Sequence, residues 1–277
     1  MDRLLNCVHK VKSCIWNKKT MESSSFYITC PSNASMDIYK DNTPSHFRIN
    51  LPQRLYLQNN YEVALAEIQY PMTYWTFSTE EKYQIAIVIR RTRFYSPRGF
   101  SPTRYNTVQE LIDDIQKTFS DTVERPQNYP ADEELFKIAY NEKINRVYYD
   151  AHYQTKVQLS DECAEALGFV KSSLTGRNQY ARYAPDITRG RHSLFVYCNV
   201  VDSQIVGDVY APLLRTVAVR GERGRIVTET YDRLHYVPVN TKELSTLEFS
   251  IRDDAGDHIK FDSGKIICKL HFRPKSL

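Results

Sequence analysis

Glycine is scarce in this chain, at 9 of 277 residues, and no apolar run approaches the roughly 18 to 20 residues that a membrane-spanning helix needs. The six cysteines, at 7, 14, 30, 163, 198 and 268, form no Cys-x-x-Cys pair. The seven histidines, at 9, 46, 152, 192, 235, 258 and 271, form no His-x-His, His-x-x-His or His-Glu-x-x-His spacing. Neither glycine motif that cradles phosphates is present, and neither is the G-x-S-x-G elbow of a serine nucleophile. Local signatures of metal catalysis, nucleotide binding and acyl transfer are therefore missing, and the expectation is no cofactor, no metal and no enzyme. A site assembled only in three dimensions stays open.

Surplus charge is also missing from most of the chain. The net charge of +4 arises within residues 1–20, where Arg3, Lys10, Lys12, Lys18 and Lys19 face only Asp2. The other 257 residues carry 32 basic and 32 acidic groups, so the bulk of the protein is not a general polyanion binder. In the basic segment Leu4, Val8, Val11 and Ile15 recur at helical spacing, and lysines interrupt any secretory apolar region. Residues 1–22 are read as a basic arm that touches nucleic acid, a membrane surface or a partner, or as an extension without a role, since Met21 could be an alternative start.

Cys198 and Cys268 lie inside the apolar runs "LFVYCNV" and "KIICKLHF". Such cysteines read as reduced, buried thiols, which fits folding in a reducing compartment. The Asn-Ala-Ser at Asn33 matches a glycosylation acceptor, a chance match if the chain is not secreted.

What the sequence has in quantity is aromatic and β-branched residues, with 20 tyrosines. Period-two runs at 25–30, 46–51 and 61–71 predict three strands, separated by Asn, Asp, Pro and Ser clusters. In "YEVALAEIQYP", both alternating sets are partly apolar, as in a strand within a sandwich. Runs at 193–201, 213–219, 225–239, 244–252 and 265–272 predict five more. Three strands and five make the eight of a jelly roll, a mainly β fold.

Between them the pattern changes. Residues 83–94 read as one strand. "NTVQELIDDIQKTF" (106–119) reads as a helix with Val108, Leu111, Ile112, Ile115 and Phe119 on one face, and Thr107 with Glu110 has capping-box spacing. "LFKIAY", "RVYYDA" and "TKVQLS" read as strands. Ser160 caps a short helix in "SDECAEALGF" that Gly168 stops, and "SSLTGRNQYARYAP" reads as a polar loop. The expected organisation is an arm at 1–22, a single eight-stranded antiparallel jelly roll at 23–78 plus 186–277, and an inserted α+β domain at 79–185.

"IRDDAGDHIKF" (251–261) has the look of a calcium loop, with Asp253, Asp254 and Asp257 around Gly256. Counted from Asp253, however, His258 stands where the obligatory glycine belongs and Gly264 where the bidentate glutamate belongs. A hairpin turn through Asp253, Asp254 and Gly256 is the better reading, with the aspartates solvated and bonded to their own backbone. The arginines at 215, 220, 223 and 225, and the looser group at 177, 182, 189 and 191, read either as phosphate contacts or as solvated loops and salt bridges. The second reading is favoured, because Glu222 lies among them. The many tyrosines fit an interface or a sandwich core equally.

Three stretches, "LFVYCNVVDSQIVGDVYAPLLRTVAV", "YDRLHYVPV" and "LEFSIRDDAGDHIKFDSGKIICKLHFR", together resemble the penton (vertex, minor capsid) protein of Maverick/Polinton-type elements, adintoviruses and related virophages. The combination is V-G-D followed by A-P-L-L-R, then H-Y-V-P-V, I-R-D-D-x-G and a closing apolar strand ending in H-F-R. The resemblance covers roughly residues 24–273 and leaves the arm outside. It implies a non-enzymatic virion protein made in the host cell, five copies closing a ring at the vertex of an icosahedral double-stranded DNA capsid. It implies contact with a double jelly-roll major capsid protein and none with membrane. The arm would reach DNA weakly or a neighbouring subunit. On this resemblance Gly207, Asp208, Ala211, Pro212, Leu213, Leu214, Arg215, Tyr236 and Pro238 are the candidate motif and interface positions. The alternative from another class is a jelly roll that binds a glycan or receptor.

Overall fold

The computed structural model of the protein describes residues 24–58, 60–77, 86–89, 92–95, 104–122, 136–151 and 155–275. The basic arm lies outside the described residues. Three long strands come first: β1 (Phe26–Pro31), β2 (His46–Tyr56) and β3 (Tyr61–Pro71). The middle of the chain holds β4 (Ala86–Ile89), β5 (Thr92–Tyr95), β6 (Phe136–Asn141), β7 (Arg146–Ala151), β8 (Thr155–Gln158), β9 (Ser173–Thr175) and β10 (Gln179–Tyr180), with helices Val108–Thr122 and Asp161–Ala166. Last come β11 (Ser193–Cys198), β12 (Gln204–Val206), β13 (Val209–Ala211), β14 (Leu213–Ala218), β15 (Ile226–Thr230), β16 (Val237–Pro238), β17 (Glu243–Arg252) and β18 (Ile267–Pro274).

The first and last groups build two antiparallel sheets. One runs β1-β18-β3-β15, with β16 also on β3, and the other runs β14-β11-β17-β2. The chain's first strand thus lies against its last, Phe26 opposite Phe272. This interleaving of early and late strands in two sheets is that of a jelly roll. The eight predicted runs all became strands of this sandwich. The run at 225–239 differs in detail: it breaks into β15 and β16, each of which pairs with β3.

Period-two alternation dictates which side chains meet between the sheets. On β11, Leu194, Val196 and Cys198 are buried, and on β17, Leu247, Phe249 and Ile251. Phe47 and Phe249 stack with ring centroids 4.9 Å apart. Each such side chain taken from water contributes about 1.5–3 kcal/mol. β3 explains why both of its alternating sets are apolar. Its pairing with β18 steps from Glu67↔Lys269 to Leu65↔Leu270, skipping Ala66. That bulge reverses the parity, so Val63 and Leu65 point into the core before it and Ile68 and Tyr70 after it.

The middle of the chain has its own buried cluster, centred on Leu111, Ile112 and Ile115 of the long helix, Ile138, Val147, Val157 and Leu167. Two small sheets, β5-β4-β8-β9 and β10-β7-β6, carry Ile138, Val147 and Val157, and Leu167 ends the short helix. The long helix starts as its sequence predicts: Thr107 Oγ1 accepts from Glu110 N at 3.1 Å. The glutamate reaches back one residue further than a reciprocal box requires, to Asn106 N at 2.7 Å. Ser160 caps the short helix by accepting from Cys163 N. Gly168 stops it at φ +83°, where a Cβ would stand 2.2 Å from the Tyr183 carbonyl oxygen.

Two expectations in this region need correction. The single strand read at 83–94 is a hairpin, β4 against β5, with Ile89 opposite Thr92. The polar stretch read as a loop contributes β9 and β10, each added to the edge of a small sheet. Leu174 supplies the one buried side chain of β9, too little apolar alternation to mark a strand in sequence.

Candidate assembly surface

Between β11 and β14 the chain leaves the sandwich sheet and makes the two-stranded ribbon β12–β13, in which Gln204 faces Ala211, Ile205 faces Tyr210 and Val206 faces Val209. Gly207 and Asp208 form its tip. Gly207 has φ +63° and Asp208 does not share the positive φ, the pattern of a type II′ turn that matches the twist of the flanking strands. The V-G-D and A-P positions thus lie on a tight hairpin. It leaves Ile205, Val209 and Tyr210 at 69%, 55% and 76% exposed. Such apolar side chains on an unpaired ribbon favour burial against another surface.

The other candidate positions are distributed around the base of this ribbon, on β14 of the second sheet and on β16 of the first. The Pro212 carbonyl accepts from Cys198 N at 3.1 Å. The pairing of β11 and β14 slips there, and Leu214 is buried in the core while Leu213 is half-buried. Arg215 lays its guanidinium 3.5 Å above the Tyr231 ring. Pro238 ends β16 opposite Glu62.

Tyr236 belongs to a separate cluster on the outer face of the β1-β18-β3 sheet. Its hydroxyl and His271 Nδ1 are 2.7 Å apart. Arg273 lies 3.5 Å above its ring and bonds Glu62 at 2.5 Å. The exposed Tyr27 ring stacks on His271 at 4.4 Å. Burial, and then the Arg273 charge, push the His271 imidazole below its ordinary pKa, favouring the neutral ring. Ile205, Val209, Tyr210, Tyr27, His271 and Arg273 were not among the sequence candidates. The alternation around Gly207-Asp208 was the available signal for the first three.

The aspartate turn departs from its expectation in one respect. Gly256 N donates to the Asp253 carbonyl and Asp257 N to Asp253 Oδ1 at 2.9 Å, and a single bridge joins Arg252 to His258. Asp253 is buried rather than solvated, with Arg191 Nε 3.8 Å from its carboxylate. Ile259 N still donates to the Ile251 carbonyl of β17 at 3.3 Å, and beyond it the chain leaves that strand. It crosses to bridge Phe261 with Tyr74.

Among the arginines, Arg223 is no solvated loop residue. It donates to Thr76 Oγ1 and to the Ile187 carbonyl, each at 3.1 Å, and stacks on Tyr74. Arg225 and Glu222 do form an exposed ion pair. Among the described residues no group of three or more His, Cys, Asp or Glu side chains could hold a metal ion. No described helix is long and apolar enough to cross a membrane.

Among solved structures, the crystal structure of the mavirus penton protein superposes with a TM-score of 0.51, over 90% of this chain and 99% of that one, at 12% identity. The chain has a penton-like jelly-roll fold. No family model matches the sequence, and no curated protein matches it. At this identity the likeness is one of architecture, and the residues above have to be judged on their own surroundings.

Proposed function

We infer that the protein is a structural capsid protein that forms the pentameric vertex of an icosahedral double-stranded DNA virus or virus-like element of the Maverick/Polinton, adintovirus and virophage group. The observation that carries this reading is the likeness to a penton protein across nearly the whole of both chains. In this reading residues 23–78 and 186–277 form the jelly-roll domain, 79–185 the inserted domain and 1–22 the arm. The protein works in the virion by surface complementarity, without catalysis, against copies of itself and a double jelly-roll major capsid protein.

The β12–β13 ribbon is the proposed ring contact. A heterologous contact of this kind closes a ring when the rotation per subunit divides the circle. Burying Ile205, Val209 and Tyr210 supplies the apolar part of the contact. The test is light scattering over a concentration series, alone and after co-expression with the major capsid protein. The expected result is a fivefold mass in at least one arm, lost in Ile205→Asp/Tyr210→Asp with the monomer still folded. A monomer in both arms, or a fivefold mass that survives the double substitution, overturns the reading or the contact, respectively.

A further inference from the structure

On the three-stranded sheet β10-β7-β6, residues 139–143 with Tyr148 and Tyr180 line an open groove of about 570 Å³. We propose that this groove binds a neutral oligosaccharide. The proposal is independent of the vertex reading.

Three of the seven residues that line the groove are tyrosines. Tyr148 and Tyr180 stand with centroids 5.2 Å apart and planes tilted by 58°, and Tyr180 is 52% exposed. An exposed ring face is a platform for the C–H-rich face of a sugar ring, and tyrosine supplies such area at low entropic cost. The platform is set in advance. Tyr148 donates its hydroxyl to Asn178 Oδ1 at 2.7 Å, and Tyr140 donates to Asn145 Oδ1 at 2.8 Å. Both asparagines sit at positive φ, 52° and 51°, on turns that the flanking strands hold. These bonds use only the amide oxygens, so the amide Nδ2 groups can still donate and the phenol oxygens can still accept.

Polar groups of both kinds ring the platform. Asn141 Oδ1 accepts from Lys143 N at 3.1 Å and closes the loop that presents Glu142 and Lys143 side by side. Hydroxyl groups need this mixture of donors and acceptors. The charge decides between ligand classes. One acid and one base line the groove, so it has no cationic surplus to hold phosphate, sulfate or sialate. Its openness favours a chain lying along the surface over an enclosed small molecule.

The test uses the full chain, probed on an array of neutral hexose and N-acetylhexosamine oligomers beside sialylated and sulfated ones, then titrated calorimetrically with the neutral binder. Neutral oligomers are expected to bind with a Kd of about 1 mM per site or tighter. Tyr180→Ala should weaken binding about tenfold or more, and Tyr180→Phe and the distant Tyr27→Ala should not. Glu142→Ala/Lys143→Ala, both exposed, should weaken it as well, which keeps the test valid if the tyrosine variant fails to fold. The proposal is overturned if no neutral oligomer binds, if only acidic glycans bind, or if binding survives both groove variants. The readout is the same on monomer and ring, so its failure is distinct from failure of the vertex reading.

Discussion

Arg223 joins Thr76 to Ile187. Its two guanidinium nitrogens donate at 3.1 Å to the hydroxyl of the first and the carbonyl of the second, and the guanidinium carbon lies 4.9 Å from the centre of the Tyr74 ring. Thr76 lies on the segment that leaves the sandwich after β3, and Ile187 on the segment that returns before β11. Thr76 Oγ1 also accepts from Tyr105 N. One side chain from the sandwich thus ties both connections of the middle segment. Arg223→Met should leave Thr76 and the Ile187 carbonyl without this donor and cost about 2–3 kcal/mol. Limited proteolysis should then cut faster between residues 77 and 104. Unchanged cleavage and stability would show that the tie is redundant.

Two glycines with positive φ should lose stability to very different degrees when replaced by alanine. At Gly168 the new Cβ collides with the Tyr183 carbonyl, and Gly168→Ala should cost about 3 kcal/mol or more. At Gly207 a Cβ meets nothing within 4 Å, so Gly207→Ala should cost only about 1 kcal/mol of backbone strain. Gly207→Val adds a β-branched side chain at this φ and should damage folding or ring closure. Denaturant melts of both alanine variants, with the solution mass of Gly207→Val, check the contrast.

Stability should fall on mild acidification. His271 and His258 both have pKa values pushed below the ordinary 6.5. Burial leads in both. Arg273 adds to it at His271, and Arg252 and His46 at His258. A depressed folded-state pKa favours the neutral ring, so the stabilising contribution is complete above the unfolded value and is lost as pH drops through the folded one. Melting temperature should decline between about pH 7.5 and pH 5. His271→Gln, which keeps a hydrogen-bonding partner for Tyr236, should flatten the decline. An identical slope in that variant would remove His271 from the account.

The described thiols should be silent in the native protein. Cys30, Cys163, Cys198 and Cys268 are free and buried. Burial pushes Cys163 and Cys198 up to about 12 and raises Cys30 and Cys268 as well. A thiol held protonated is a poor nucleophile. In a Cys7→Ser/Cys14→Ser background, Ellman's reagent at about pH 8 should find no reactive thiol before unfolding and all four after it. Any native reaction would contradict the burial.

The sequence by itself determined what depends on neighbours along the chain. The eight sandwich runs follow from two-residue alternation, and the Thr107 and Ser160 caps from side chains within reach of the next turn. The failed calcium pattern at Asp253 followed from residue identity at fixed positions. Tertiary structure decided what depends on residues far apart in sequence. Only pairing with β18 puts the bulge at Ala66 that reverses the parity of β3. Arg191 comes within 3.8 Å of Asp253 across the fold, and Arg223 spans two connections that flank the whole middle segment. Tyr148 and Tyr180 became one groove because β10, invisible as a polar loop, pairs with β7. Alternation tells each residue which face it takes, but not which strand will lie beside it, and these contacts depend on that strand.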